Sequence, residues 1–257
     1  KQLQRFEASR DIFFANEAPL KQGDVLVQKD LAATLQRFAT KGTKGFYGGS
    51  TADLMHQHMA SGGGFVTRAD LQAYEPRERD AVRVNYRGYE VISMGPPSSG
   101  GIAMLQMLNL LAPHDLRKIG YGNSDSIHLL TEVMRRAYAD RSRWLGDPDY
   151  YKVPIAGLIS AKYAKQLGAG IDLEQVSPVQ PGLPPGAKES DDTTHFSIID
   201  KDGCAVSCTT TINSTFGSCS VCKGAGFFWN NEMDDFSAKP GVPNQFGLVG
   251  GKANAIA

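Results

Sequence analysis

Apolar positions recur along this chain at helical spacing first and change to strand spacing in two places. Over residues 29–40, Leu31, Leu35 and Phe38 fall on one face of a predicted helix, which the glycine-rich run from Lys41 to Gly49 ends. A second, shorter helix is expected from about Thr51 to Ala60, stopped by Gly62-Gly63-Gly64. A third starts at Thr67-Arg68-Ala69-Asp70 and ends near Pro76. The period then becomes two. Val82, Val84 and Tyr86 alternate, Arg87-Gly88 supplies a turn, and residues 89–94 return as the partner strand. Pro96 to Gly101 reads as a tight turn into an apolar helix over 102–111, with Ser98 and Ser99 expected to cap its N-terminus rather than to hold an anion there. The longest helix is expected over 124–145, with Ile127, Leu130, Val133, Met134, Ala137 and Trp144 as its apolar stripe. Arg135, Arg136, Asp140 and Arg141 are read there as surface or buried ion pairs, and one more helix covers 160–168.

From Ser177 to Asp192 the pattern lapses. Four prolines, glycines and two terminal aspartates leave nothing to pack, so this stretch is expected to be an exposed connector. Residues 193–200 and 204–212 then read as two strands of a hairpin joined by Lys201-Asp202-Gly203, with Gly where a left-handed residue is wanted. Pairing residue 200 with 204 sets Thr193 opposite Thr211, with Cβ atoms about 5 Å apart on one face. A two-residue Asp202-Gly203 turn would pair Thr194 with Thr211 instead, and the longer loop is preferred because it uses all three residues. A strand-like stretch follows at Gly226 to Trp229. After it come Asn230 to Ser237, with two amides and three carboxylates in six residues, and a loop at 240–247 with one aromatic, Phe246.

Composition narrows the field. Across 257 residues, 41% are apolar and 21% charged, with 27 basic and 27 acidic side chains. A chain of that balance carries no basic footprint for nucleic acid, and it holds no apolar run of about 18 residues to span a membrane. Neither end reads as a natural terminus, and no signal peptide opens the chain. His56 and His58, two apart on a helix, point in different directions and are expected to be solvated or locally bonded. All four cysteines fall between positions 204 and 222. Cys204 and Cys208 would lie about 13 Å apart on a strand, too far to share one metal ion, so a 219–222 disulfide or four free thiols is expected.

The chemistry centres on Asp192-Thr193-Thr194-His195-Phe196-Ser197. A threonine hydroxyl becomes a competent nucleophile when a free α-amine on the same residue takes its proton. An internal Thr193 lacks that amine, so catalysis through it requires prior scission between Asp192 and Thr193, at the end of the exposed connector. Thr211, opposite, is placed to orient the Thr193 hydroxyl, and Asn213 lies two residues further on the same face. An ordinary threonine-rich strand pair would have the same composition. The carboxylates at 232, 234 and 235 suit recognition of an ammonium group.

These motifs together resemble the γ-glutamyltranspeptidase family. The resemblance rests on Thr193 to Ser197, on Thr211-Ile212-Asn213-Ser214-Thr215-Phe216-Gly217 and on Asn230 to Ser237, with Met94 to Gly101 and Tyr138 to Ser142 upstream. It implies an α+β fold, the four-layer αββα sandwich of N-terminal nucleophile hydrolases, of which this chain would be an interior part. It implies residues 1–192 as the end of a large subunit and 193–257 as the start of a small one, held as a heterodimer after self-cleavage. In that reading Thr193 is the nucleophile and Thr211 its support. Asn213, Glu232 and Asp235 hold the α-amino and α-carboxylate ends of a glutamyl group, and Phe246 stands at a lid position that is Tyr in some relatives. The family's carboxylate-gripping arginine and Gly-Gly oxyanion hole have no counterpart in the sequence. The implied substrates are glutathione and other γ-glutamyl amides, with water or amino acids as acceptors, no metal or organic cofactor, and a periplasmic or extracellular setting. The alternatives are a cephalosporin or glutaryl acylase of the same fold and an uncleaved, non-catalytic homologue.

Overall fold

The computed structural model describes residues 1–179 and 193–256. In chain order its elements are α1 (Glu7–Phe13), β1 (Phe14–Ala15), β2 (Ala18–Pro19), α2 (Lys29–Lys41), α3 (Gly49–Gly62), α4 (Arg68–Ala73), β3 (Val82–Tyr86), β4 (Tyr89–Ser93), α5 (Gly100–Leu111), α6 (Leu116–Ile119), α7 (Ser124–Trp144), α8 (Ile155–Leu158), α9 (Ala161–Gly168), β5 (Thr194–Ile199) and β6 (Ala205–Thr210). Short 3-10 turns include Glu232–Asp235. The described strands pair as three antiparallel ribbons, β1-β2, β3-β4 and β5-β6. The expected α+β character is present, and the six predicted helices and both longer ribbons fall where the hydrophobic period put them, while α1, α6, α8 and the short β1-β2 ribbon were not predicted.

The chain divides into two compact units. The first takes described residues 1–77 and 193–232. Its core gathers Ala52 and Met55 of α3, Leu71 of α4, and Cys222 and Ala225 of the segment after the hairpin, with Phe46, Phe227 and Trp229 packed against them. A capping box starts α4, where the Thr67 hydroxyl accepts from the Asp70 N–H and the Asp70 carboxylate accepts from the Thr67 N–H. Buried hydroxyls pin the late segment to the early helices. Ser9 Oγ donates to the Cys219 carbonyl at 2.8 Å, and Thr34 Oγ1 donates to the Ala225 carbonyl at 2.7 Å.

That second bond corrects the expectation for α2. The helix forms as predicted, but Thr34, 2% exposed, faces inward, while Leu35 and Phe38 remain 56% and 48% exposed. A threonine can be buried there because its hydroxyl donates to Ala225 and accepts from Arg37 Nη2 at 2.8 Å.

His58 is bonded, but to residues distant in sequence rather than locally as expected, and the His56 Nδ1 is buried with no hydrogen-bond partner among the described residues. The Lys223 N–H donates to His58 Nδ1 at 3.5 Å, which leaves the ring proton on Nε2, 3.1 Å from Ser220 Oγ. All four cysteines are free thiols. Residues 226–229 do not form a strand; only a single bridge joins Val221 to Phe228.

The second unit takes described residues 78–179 and 233–256. Val82, Ile102, Leu105, Leu145 and Leu158 form one core cluster, and Leu110, Leu111, Leu129, Val133 and Ala164 another. On α7 the buried stripe is rotated from the predicted one. Leu129, Glu132, Val133, Arg136 and Ala137 face inward, and Ile127, Leu130 and Met134 are exposed. The charged pair tolerates burial because Glu132 binds Arg136 at 2.7 Å and Arg135 as well. Arg136 also donates to the carbonyls of Leu167 and Gly170, where α9 ends. The Glu132 carboxyl is accordingly held below the usual range, with the arginine hydrogen bonds overcoming its desolvation.

Ser99 does not cap α5. Its hydroxyl accepts from Arg141 Nε at 2.9 Å instead. Beside it Asp140 is a half-buried carboxylate, accepting from Gln106 Nε2 at 2.6 Å and from the Tyr163 hydroxyl at 3.1 Å. Burial raises its pKa against those bonds. Among the described residues no helix is long and apolar enough to cross a membrane, and no three His, Cys, Asp or Glu side chains gather to hold a metal ion.

Candidate active site

The β5-β6 hairpin has the register that the three-residue loop implied. Thr194 pairs with Thr210, His195 with Thr209 and Ile199 with Ala205. The Asp200 N–H donates to the Cys204 carbonyl at 3.0 Å, closing the loop over Gly203, which sits at φ +84. Alternation then sorts the side chains. One face carries Thr193, His195 and Ser197 with Thr211, Thr209 and Ser207. His195 Nδ1 lies 2.7 Å from Thr209 Oγ1, and Nε2 lies 3.2 Å from Ser207 Oγ and 3.3 Å from Ser197 Oγ. The other face carries Phe196, Ile198 and Val206.

At the end of this polar ladder, Thr193 and Thr211 meet. Their hydroxyl oxygens are 3.4 Å apart, a long contact, and both residues are exposed. Thr211 Oγ1 also accepts from the Asn213 N–H at 2.9 Å. Thr211 Oγ1 thus accepts both from the Asn213 N–H and from the Thr193 hydroxyl. Asn213 is buried and left-handed, with φ +74, a conformation that asparagine tolerates better than most residues. Its side chain turns back toward the segment at 229–232, where Nδ2 donates to the Asn231 carbonyl at 3.1 Å. Glu232, half-buried, follows in the chain, and its N–H donates to Asn230 Oδ1 at 3.0 Å. Thr193, Thr211, Asn213 and Glu232 thus all belong to the first unit, the first three linked by consecutive hydrogen bonds.

Asp235 and Phe246 belong to the second unit. The Asp235 carbonyl accepts from Asn254 Nδ2 at 2.6 Å. The loop around Phe246 is organised by Asn244, whose Oδ1 accepts from the N–H groups of Phe246 and Leu248, both at 3.0 Å. The Gln245 N–H donates to the Asp234 carboxylate, tying that loop to the acidic turn. Asp192 lies outside the described residues.

The sequence profile of the Gamma-glutamyltranspeptidase family matches residues 1–257. The chain belongs to this family. Glutathione hydrolase proenzyme of Escherichia coli (strain K12) is 48% identical over 258 residues, which is 99% of this chain and 44% of that protein. The chain therefore spans less than half the length of this γ-glutamyltranspeptidase-family relative. The crystal structure of γ-glutamyltranspeptidase from Helicobacter pylori superposes with a TM-score of 0.68 at 43% identity, over 70% of this chain and 53% of that one. Cephalosporin acylase from Bacillus halodurans superposes with a TM-score of 0.79 at 27% identity, over 96% of this chain and 43% of that one. The fold is that of these N-terminal nucleophile hydrolases, of whose sandwich this chain holds a part.

Asn231 was not singled out from the sequence. Its side chain and backbone make four hydrogen bonds to residues 212–214. Those partners are 17 or more positions away, and nothing local marks them.

Proposed function

We propose that the full-length protein is a self-processing γ-glutamyl transferase and hydrolase that acts through Thr193. The observation that carries this reading is the hydrogen-bond chain linking Thr193, Thr211 and the Asn213 N–H, just past the last pair, Thr194 with Thr210, at the open end of the hairpin. In the first act the Thr193 hydroxyl attacks the Asp192 carbonyl carbon. The Asp192–Thr193 amide breaks, an ester forms, and the nitrogen takes a proton to become a free amine. Water hydrolyses the ester, freeing the Asp192 carboxyl and the Thr193 hydroxyl. The chain then has two parts, 1–192 and 193 onward, that form the large and small subunits of a heterodimer.

In the second act the Thr193 amine takes the hydroxyl proton as the oxygen attacks the γ-carbonyl of a donor such as glutathione. The departing amine leaves with a proton, and the glutamyl group is held as an ester on Thr193 Oγ1. Water or an acceptor amino acid then resolves it. Asn213, Glu232 and Asp235 are assigned to the α-amino and α-carboxylate ends of the glutamyl group and Phe246 to the lid. This reading uses no metal or organic cofactor and sits in a periplasmic or extracellular setting.

The likeness to cephalosporin acylase favours a second reading, in which the acyl group carries no α-amine. The carboxylates at Glu232 and Asp235 speak for an ammonium-bearing donor. Hydrolysis of γ-glutamyl and glutaryl anilides by the full-length protein separates the two readings. Preference for the γ-glutamyl anilide is expected, and preference for the glutaryl one would favour the acylase.

A further inference from the structure

Asn231 ties together two segments that carry the proposed site. Its Oδ1 accepts from the Ser214 N–H at 3.1 Å, and its Nδ2 donates to Ser214 Oγ at 3.0 Å, so the amide grips one residue with both of its polar atoms. Its backbone adds two more bonds. The Asn231 N–H donates to the Ile212 carbonyl at 3.3 Å, and its own carbonyl accepts from Asn213 Nδ2 at 3.1 Å. Asn213, bracketed by these contacts, holds a positive φ and presents its N–H to Thr211 Oγ1, the oxygen next to Thr193. On the other side of Asn231, one peptide away, is Glu232.

We infer that Asn231 is a positioning residue for the Thr193 reaction, setting the separation between the nucleophile's support and the glutamyl-binding residues Asn213 and Glu232 without touching substrate itself. The inference rests on the proposed γ-glutamyl activity and deepens it. The backbone contacts survive any side-chain change at 231, so what the amide adds is the fixed placement of Ser214, and with it the left-handed turn at Asn213. Loss of the amide frees that turn to relax, and the cost appears in donor binding before it appears in folding.

The test uses full-length protein and a γ-glutamyl anilide. Asn231→Ala is expected to raise KM about tenfold or more with kcat changed less than about threefold, while the melting midpoint stays near that of the wild type. Asn231→Asp keeps one oxygen for the Ser214 N–H and offers the second to the Ser214 hydroxyl as donor, and it is expected to recover KM to within about threefold. Ser214→Ala should add little in the Asn231→Ala background, because the two changes break one contact. An unchanged KM in Asn231→Ala, an Asp variant as impaired as Ala, or additive effects in the double variant would each overturn the inference. A wild type that hydrolyses no γ-glutamyl anilide sinks the functional reading. A working wild type beside an unaffected Asn231→Ala sinks the role of Asn231 alone.

Discussion

The turn that carries Asn213 is closed by a glycine whose replacement separates packing from backbone strain. Gly217 is buried at φ +53, and its N–H donates to the Ser214 carbonyl at 2.7 Å. A Cβ at this position would sit inside van der Waals contact of the Trp229 carbonyl oxygen and 3.1 Å from Asn230 Cα. That same carbonyl accepts from the Ser218 N–H at 2.9 Å and from Ser218 Oγ at 3.0 Å. Gly217→Ala therefore imposes two costs, a left-handed alanine of about 1–2 kcal/mol and overpacking of about 1–3 kcal/mol. The stiffer unfolded chain offsets about 0.4–1 kcal/mol, so the net loss is about 1–4.6 kcal/mol. Gly203 is the control. It sits at φ +84, and nothing lies within 4 Å of the corresponding Cβ. Gly203→Ala should carry the backbone cost alone, about 0–1.6 kcal/mol after the same offset. Urea unfolding of the two full-length variants measures the difference. Equal midpoints would refute the close approach between residue 217 and the Trp229–Asn230 segment.

Further expectations concern the buried polar groups. Burial lowers the pKa of His58, so the unfolded chain takes up the proton first. Stability should be unaffected above the ordinary histidine range and fall as pH drops through about 6.5. His58→Gln should flatten that part of the acid slope in a pH series of melting midpoints, and an unchanged slope would count against a half-buried neutral ring. Asp140→Ala leaves Gln106 Nε2 without its acceptor and should cost about 1–3 kcal/mol. Asp140→Asn can accept from Gln106 and donate to the Tyr163 oxygen, and it should stay within about 1 kcal/mol of the wild type by the same urea measurement; equal losses in both variants would contradict the network. Burial pushes the Cys222 thiol up to about 11. Iodoacetamide followed by peptide mass mapping should therefore label exposed Cys204 in the native protein and Cys222 only after unfolding.

How much of this was readable without coordinates varied with the range of the interaction. The hairpin register was legible because a local rule governs it. Lys201-Asp202-Gly203 closes a loop that needs one left-handed residue, and every pair up to Thr193 and Thr211 follows from that count. The start of α4 was legible for a similar reason, since Thr67 and Asp70 cap each other across three positions. The inward faces of α2 and α7 were not. Polarity alone assigns Thr34, Glu132 and Arg136 to solvent, and each is buried because a partner distant in sequence or one turn away satisfies it. Thr34 bonds a carbonyl 191 positions on, and Arg136 bonds carbonyls 31 and 34 positions on. Ser99 followed the same rule in reverse, giving up a local cap for Arg141. Asn231 looked like one more polar residue in an acidic turn because its importance lies in its contacts with 212–214.

The mass and N-terminal sequence of the mature full-length protein test the central claim most directly. The account predicts two chains, the second beginning at Thr193 with a free α-amine, and a single uncut chain for Thr193→Ala. A wild-type protein that stays in one piece, or a Thr193→Ala variant that still splits between Asp192 and residue 193, would contradict it.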